Sequence, residues 1–132
     1  MVVGVGIDVV ATGRIARALA DAGGDFEARV FTAAEREDCR HRADKTEALG
    51  ARFAAKEACF KALGRGLGQG LAFQQIEVTA DESGRPELHL SGAAAARAKA
   101  LGVTRVHLSL SHDGEVAAAV VVLEDGVTPR DG

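Results

Sequence analysis

The sequence predicts an α+β fold: one small domain with a long central helix packed against a mainly antiparallel sheet. Three observations predict it. Good helix formers run without a proline from about Glu47 to Leu63, and Gly64 stands where a C′ residue belongs. Short alternating or β-branched segments flank that helix on both sides. Asp81-Glu82-Ser83-Gly84 and His112-Asp113-Gly114-Glu115 are tight turns, and strands joined by tight turns pair antiparallel. A chain of 132 residues is one domain, expected over 1–124, with 125–132 as a polar tail.

Taken in order, Val2 to Val10 reads as a strand in which Gly4 and Gly6 mark close backbone approach. Gly4-x-Gly6 is not a dinucleotide fingerprint, because position 9 is valine. Thr12 is placed to cap a helix reaching about Ala22, with Ile15, Leu19 and Ala22 inward and Arg14, Arg17 and Asp21 on another face. Thr32 and Glu35 form a capping box that opens a short polar helix with solvent-facing charges, ending near Arg42. In the long helix, Asp44 and Glu47 offer a second capping box. Leu49, Phe53, Phe60 and Leu63 lie near one face, and Ala51, Ala55, Ala58 and Ala62 make a small-residue side. The glycine run from Gly64 to Gly70 ends the helix. It is either a linker or a loop whose amides approach a phosphate, and it lacks the Gly-Lys-Ser/Thr of a P-loop. Phe73 to Thr79 and Pro86 to Leu90 read as a strand pair. Ser91 to Leu101 is an alanine-rich helix stopped by Gly102. Arg105 to Ser111 alternates, with Val106, Leu108 and Leu110 on one face, and Val116 to Leu123 is a central strand.

Composition narrows the function. With no Trp, no Tyr and a net charge of −3, the chain is poorly suited to stacking on bases or to coating nucleic acid. The apolar start is too short for a membrane span, lacks a basic n-region and meets Asp8, so a soluble cytoplasmic protein is expected. Two irregularly spaced cysteines read as free thiols, and Cys39 with His41 has no second ligand pair for zinc.

Two carboxylates stand out. Asp8 interrupts an apolar strand, and Glu57 borders the apolar face of the long helix. Each has an ordinary explanation: Asp8 as a turn cap, Glu57 as half of an i,i+4 pair with Lys61. Arg52 and Lys56 form a second i,i+4 pair, readable as a solvated stripe or as cations for an anionic ligand. Together the two carboxylates and the three cations suggest a hard divalent cation such as Mg²⁺ and a phosphate-bearing substrate.

At these residues the chain resembles the holo-acyl-carrier-protein synthases, the small 4′-phosphopantetheinyl transferases. Gly4-Val5-Gly6-Ile7-Asp8 with Arg14-Ile15 resembles their opening motif, and Phe31-Thr32-x-x-Glu35 their second block. Arg52-Phe53-Ala54-Ala55-Lys56-Glu57-Ala58 followed by Lys61-Ala62-Leu63-Gly64 is similar to their signature helix. Gly84-Arg85-Pro86 and Ser109-Leu110-Ser111-His112 resemble two further blocks. Ala11 departs from the pattern, where many relatives carry Glu, at a position that is not a metal ligand in the motif. The resemblance implies the phosphopantetheinyl transferase fold and transfer of the phosphopantetheine arm of coenzyme A to a serine of apo-acyl carrier protein. It implies Mg²⁺ on Asp8 and Glu57, with Glu57 as the route for the serine proton and Lys61 at the leaving phosphate. It implies a coenzyme A site lined by Arg52, Lys56, Gly64, Pro86, Ser111 and His112, the polar ones near its phosphates. Arg14 and Arg17 would meet the acidic helix of the carrier, and the assembly would be a homotrimer with sites between protomers. The competing expectation is a coenzyme-A-binding interaction module without catalysis.

Overall fold

The computed structural model describes residues 1–21 and 24–128. The chain runs β1 (Val2–Ala11), α1 (Thr12–Ala20), α2 (Phe26–Val30), α3 (Ala33–Cys39), α4 (Lys45–Leu63), two short 3₁₀ turns (Leu67–Gln69 and Phe73–Gln75), β2 (Ile76–Ala80), β3 (Pro86–Leu90), α5 (Gly92–Ala100), β4 (Val103–His112) and β5 (Val116–Asp125). β1, β5 and β4 form one sheet with β5 central, and β2 with β3 forms a second. Every pairing is antiparallel. The expected α+β architecture is therefore present, with α4 lying on the three-stranded sheet.

The long helix differs from an amphipathic one. From Ala48 to Leu63 every residue is buried except Glu57 and Lys61. The alanine side lies against the sheet and the aromatic side against the helical half of the domain. All five phenylalanines join in one string, Phe31–Phe26–Phe53–Phe73–Phe60, with ring centroids 5.4–6.0 Å apart. Edge-to-face and tilted ring contacts of this kind add about 0.5–1.5 kcal/mol each beyond area burial. That string ties α2, α4 and the Phe73 turn together. The helix α2 was not foreseen, since five residues carry too little periodicity to show.

Other local expectations are corrected. α4 starts at Lys45, and the Asp44 carboxylate does not cap it; that carboxylate accepts from Arg42 Nε and Nη2 at 2.8 and 2.9 Å. Thr12 is already helical, and its hydroxyl donates to the Gly114 carbonyl, locking α1 to the β4–β5 turn. Ala22, the expected end of α1, lies outside the described residues. Phe73–Gln75 is a 3₁₀ turn rather than strand. Ser91 precedes α5 without a side-chain cap. The Thr32–Glu35 capping box forms as expected, yet Glu35 is fully buried rather than solvent-facing. β5 extends to Asp125, and 129–132 lie outside the described residues.

Alternation along β1, β5 and β4 puts small or apolar residues against α4. The outer face of the same sheet is also apolar. Val5, Ile7 and Val9 are exposed there, beside their partners Val122, Val120 and Ala118. A sheet face that met only water would be polar.

Candidate active site

Asp8 reaches the helix because two glycines precede it on the inward face of β1. A Cβ at Gly6 would lie 1.8 Å from the Ala58 carbonyl oxygen, and one at Gly4 would lie 2.2 Å from that of Ala62. α4 therefore rests on the bare backbone of β1 and runs antiparallel to it, one helical turn per two strand residues. Asp8 is the next residue on that face, two along from Gly6. It is 19% exposed, and Lys61 bends over it, donating to Asp8 Oδ1 at 3.3 Å and to the Ile7 carbonyl at 2.9 Å. Lys61 itself is 56% exposed.

Glu57 makes no ion pair among the described residues; Lys61, one turn along, pairs with Asp8 instead. Burial, and then the negative charge of Asp8, push the Glu57 carboxyl above its ordinary value, while Lys61 and Arg14 pull it back. The result is a pair of neighbouring carboxylates, of which Glu57 is half-buried and unpaired and lines, with Lys61, a cavity of about 330 Å³ beneath the glycine loop from Gly64 to Gln69. No cluster of three or more His, Cys, Asp or Glu side chains occurs among the described residues. Two carboxylates beside open solvent suit a hard cation that keeps waters and takes further oxygens from a ligand.

A second groove, of about 270 Å³, lies at the other end of α4, where Arg52, Pro86, Leu110 and His112 converge. Arg52 is 7% exposed. One of its amino groups donates to Ala48 O at 3.3 Å, and its Nε is the one buried side-chain polar atom without a partner among the described residues. Leaving such a donor unmatched costs about 1–3 kcal/mol, which marks the groove as a place for an acceptor. Arg42 lines the groove too, and His112 Nε2 lies 4.0 Å from Asp44 Oδ2. Arg42 was missed, since a lone arginine ahead of the helix carries no spacing signal.

Residues 4–121 match the 4′-phosphopantetheinyl transferase superfamily. The chain belongs to that family. It is 52% identical over 124 residues to the holo-[acyl-carrier-protein] synthase of Solidesulfovibrio magneticus, covering 94% of this chain and 99% of that one. It is similar to the crystal structure of a holo-(acyl-carrier-protein) synthase from Bacillus anthracis in complex with CoA (3′,5′-ADP), with TM-score 0.79, 39% identity and coverage of 96% and 99%. The Helicobacter pylori holo-[acyl-carrier-protein] synthase in complex with coenzyme A is similar at TM-score 0.80 and 32% identity, covering 91% and 99%.

For a phosphopantetheinyl transferase, the signature helix is divided here in an unexpected way. Asp8, Glu57, Lys61 and Gly64 come together, and so do Arg52, Pro86 and His112. Lys56 joins neither group. It is 0% exposed and its ammonium lies 2.7 Å from Glu35 Oε1, which corrects the expectation that it faces a phosphate. Ser111 points to the outer sheet face beside Ala118, not into the groove. Arg14 and Arg17 stand exposed on α1.

Proposed function

We propose that this chain is a holo-[acyl-carrier-protein] synthase. It transfers 4′-phosphopantetheine from coenzyme A to a serine of apo-acyl carrier protein and releases adenosine 3′,5′-bisphosphate. The observation that carries this reading is the Asp8–Glu57–Lys61 cluster, at the opening that interrupts the buried stretch of α4 from Ala48 to Leu63. The kinship of the whole chain to synthases solved with coenzyme A supports it.

Asp8 and Glu57 would hold Mg²⁺, whose charge, when bound, neutralises pyrophosphate oxygens. Glu57 takes the proton of the attacking serine hydroxyl, directly or through a water. The serine oxygen bonds to the phosphorus that carries pantetheine. The bond from that phosphorus to the bridging oxygen breaks, and Lys61 meets the charge left on the departing phosphate. Arg52, with its free Nε, and His112 and Pro86 hold the nucleotide end. Gly64 admits the pyrophosphate beside Lys61. Arg14 and Arg17 meet an acidic helix of the carrier, which suits basic residues on a chain of net charge −3.

Nine residues of α4 separate Arg52 from Lys61, roughly 14 Å of helix rise. The two half-sites work across protomers of a homotrimer that buries the apolar outer sheet face. Exposed Val5, Ile7 and Val9 support this, and so does Ser111, which sits on that face. No helix among the described residues is long and apolar enough to cross a membrane. Free buried Cys39 and Cys59 suit a reducing cytoplasm.

Intact-mass spectrometry tests the reading. The chain is mixed with apo-acyl carrier protein, coenzyme A and Mg²⁺, with a chelated control. A carrier heavier by one phosphopantetheine, absent with chelator, is expected. Coenzyme A bound without any transfer would favour the non-catalytic module.

A further inference from the structure

One ionisable pair takes no part in that chemistry. Lys56 and Glu35 are both 0% exposed, and their polar atoms are matched all round. Lys56 Nζ also donates to the carbonyls of Phe73, at 3.2 Å, and Ile76. Glu35 Oε1 accepts from the Thr32 amide at 2.9 Å, and Oε2 from the Val78 amide at 2.8 Å. The Phe31 ring lies under the ammonium, 5.9 Å to its centroid. One dry ion pair thus joins α4, the start of α3 and the Phe73–Val78 segment.

Such a pair is a poor source of stability, because desolvating two charges costs about as much as their attraction returns. Its better-attested use is to select one register. α4 needs that selection. From Ala48 to Leu63 it is buried except at Glu57 and Lys61, so apolar patterning singles out no one face, and the face against the sheet is built of alanines, whose short side chains define a rotation weakly. Successive helical residues point about 100° apart. With Lys56 drawn toward α3 and β2, Glu57 is turned toward β1 and Asp8, and Arg52, one turn earlier, toward the second groove.

We infer that Glu35 and Lys56 are a positioning pair that sets the rotation of α4 and thereby brings Glu57 to Asp8. The inference deepens the transferase reading and rests on it for the kinetic half of its test. The full chain is compared as wild type, Glu35→Gln/Lys56→Met, Glu35→Asp and Val103→Ala, the last a truncation against the core at the Asp125 end of β4, away from both pairs. Steady-state kinetics are measured well below each melting point, alongside the ¹³C-carboxyl resonances of Asp8 and Glu57.

The double variant loses roughly 10- to 100-fold in kcat, with KM for both substrates within roughly threefold. Glu35→Asp loses less, and Val103→Ala keeps its kcat. The two carboxyl resonances move in the pair variants and stay in place in Val103→Ala. A folded pair variant with the kcat of Val103→Ala, or with unmoved resonances, overturns the inference. If the double variant does not fold, Glu35→Asp carries the same comparison. Wild-type protein that transfers nothing defeats the transferase reading, and the resonances alone then decide the positioning role.

Discussion

Two lysine–carboxylate pairs hang on the same helix within five residues of each other, and their surroundings set them apart. Lys56–Glu35 is dry, 2.7 Å long and closed by four backbone partners. Lys61–Asp8 is open, 3.3 Å long, and has an unpaired Glu57 beside it. The first has no spare bonding capacity, so it can only hold structure. The second is under-satisfied and bears excess negative charge, so it can take up a cation and exchange a proton. The difference teaches that charge type and spacing do not assign a role within a signature helix; the degree of satisfaction does.

The sharpest way to break the comparison is to remove the open pair. Asp8→Ala or Glu57→Ala should lower transfer by roughly 10²- to 10³-fold or more, measured by carrier mass gain, while the melting temperature is kept. Loss of both folding and activity would make the open pair structural like its neighbour.

Next in size is the closed pair's effect on stability. Lys56→Met strands the Glu35 carboxylate in the core and should cost about 3–5 kcal/mol by urea unfolding. Glu35→Gln/Lys56→Met should recover part of that loss, because no unpaired charge remains. A single variant as stable as wild type would show that water reaches the pair.

The smallest effect sharpens the contrast through pH. The Glu57 carboxyl is raised above 4.5, first by burial and then by Asp8. The folded state therefore holds that proton more tightly than the unfolded chain, and stability falls as pH rises through the raised value. In chelator, Glu57→Gln should melt higher than wild type at pH 8 and equally at pH 4. Adding Mg²⁺ should raise the wild-type melting temperature and not the variant's. Equal pH profiles for both proteins would mean that Glu57 is not strained by its site.

Much of this was legible from residue order. The glycines of β1 marked the close approach that places Asp8, and the hairpin turns foretold antiparallel pairing. Glu57 stood out as an acid on an apolar helix face. The Thr32–Glu35 box was legible as a cap, which accounts for one carboxylate oxygen; nothing local revealed that the other would reach Val78 or that Lys56 would meet it. Those contacts span 21 and 43 residues of chain, beyond the range of any periodicity.

The sequence by itself determined the longer elements, the antiparallel pairing of the two hairpins and the family, because these follow from local propensity, turn chemistry and motifs a few residues long. Only the tertiary structure decided which charged side chains of α4 are buried, that Arg52 keeps an unmatched Nε, and that the outer sheet face is left apolar. Burial is a property of what packs around a residue, and for α4 the surrounding strands and helices come from both ends of the chain.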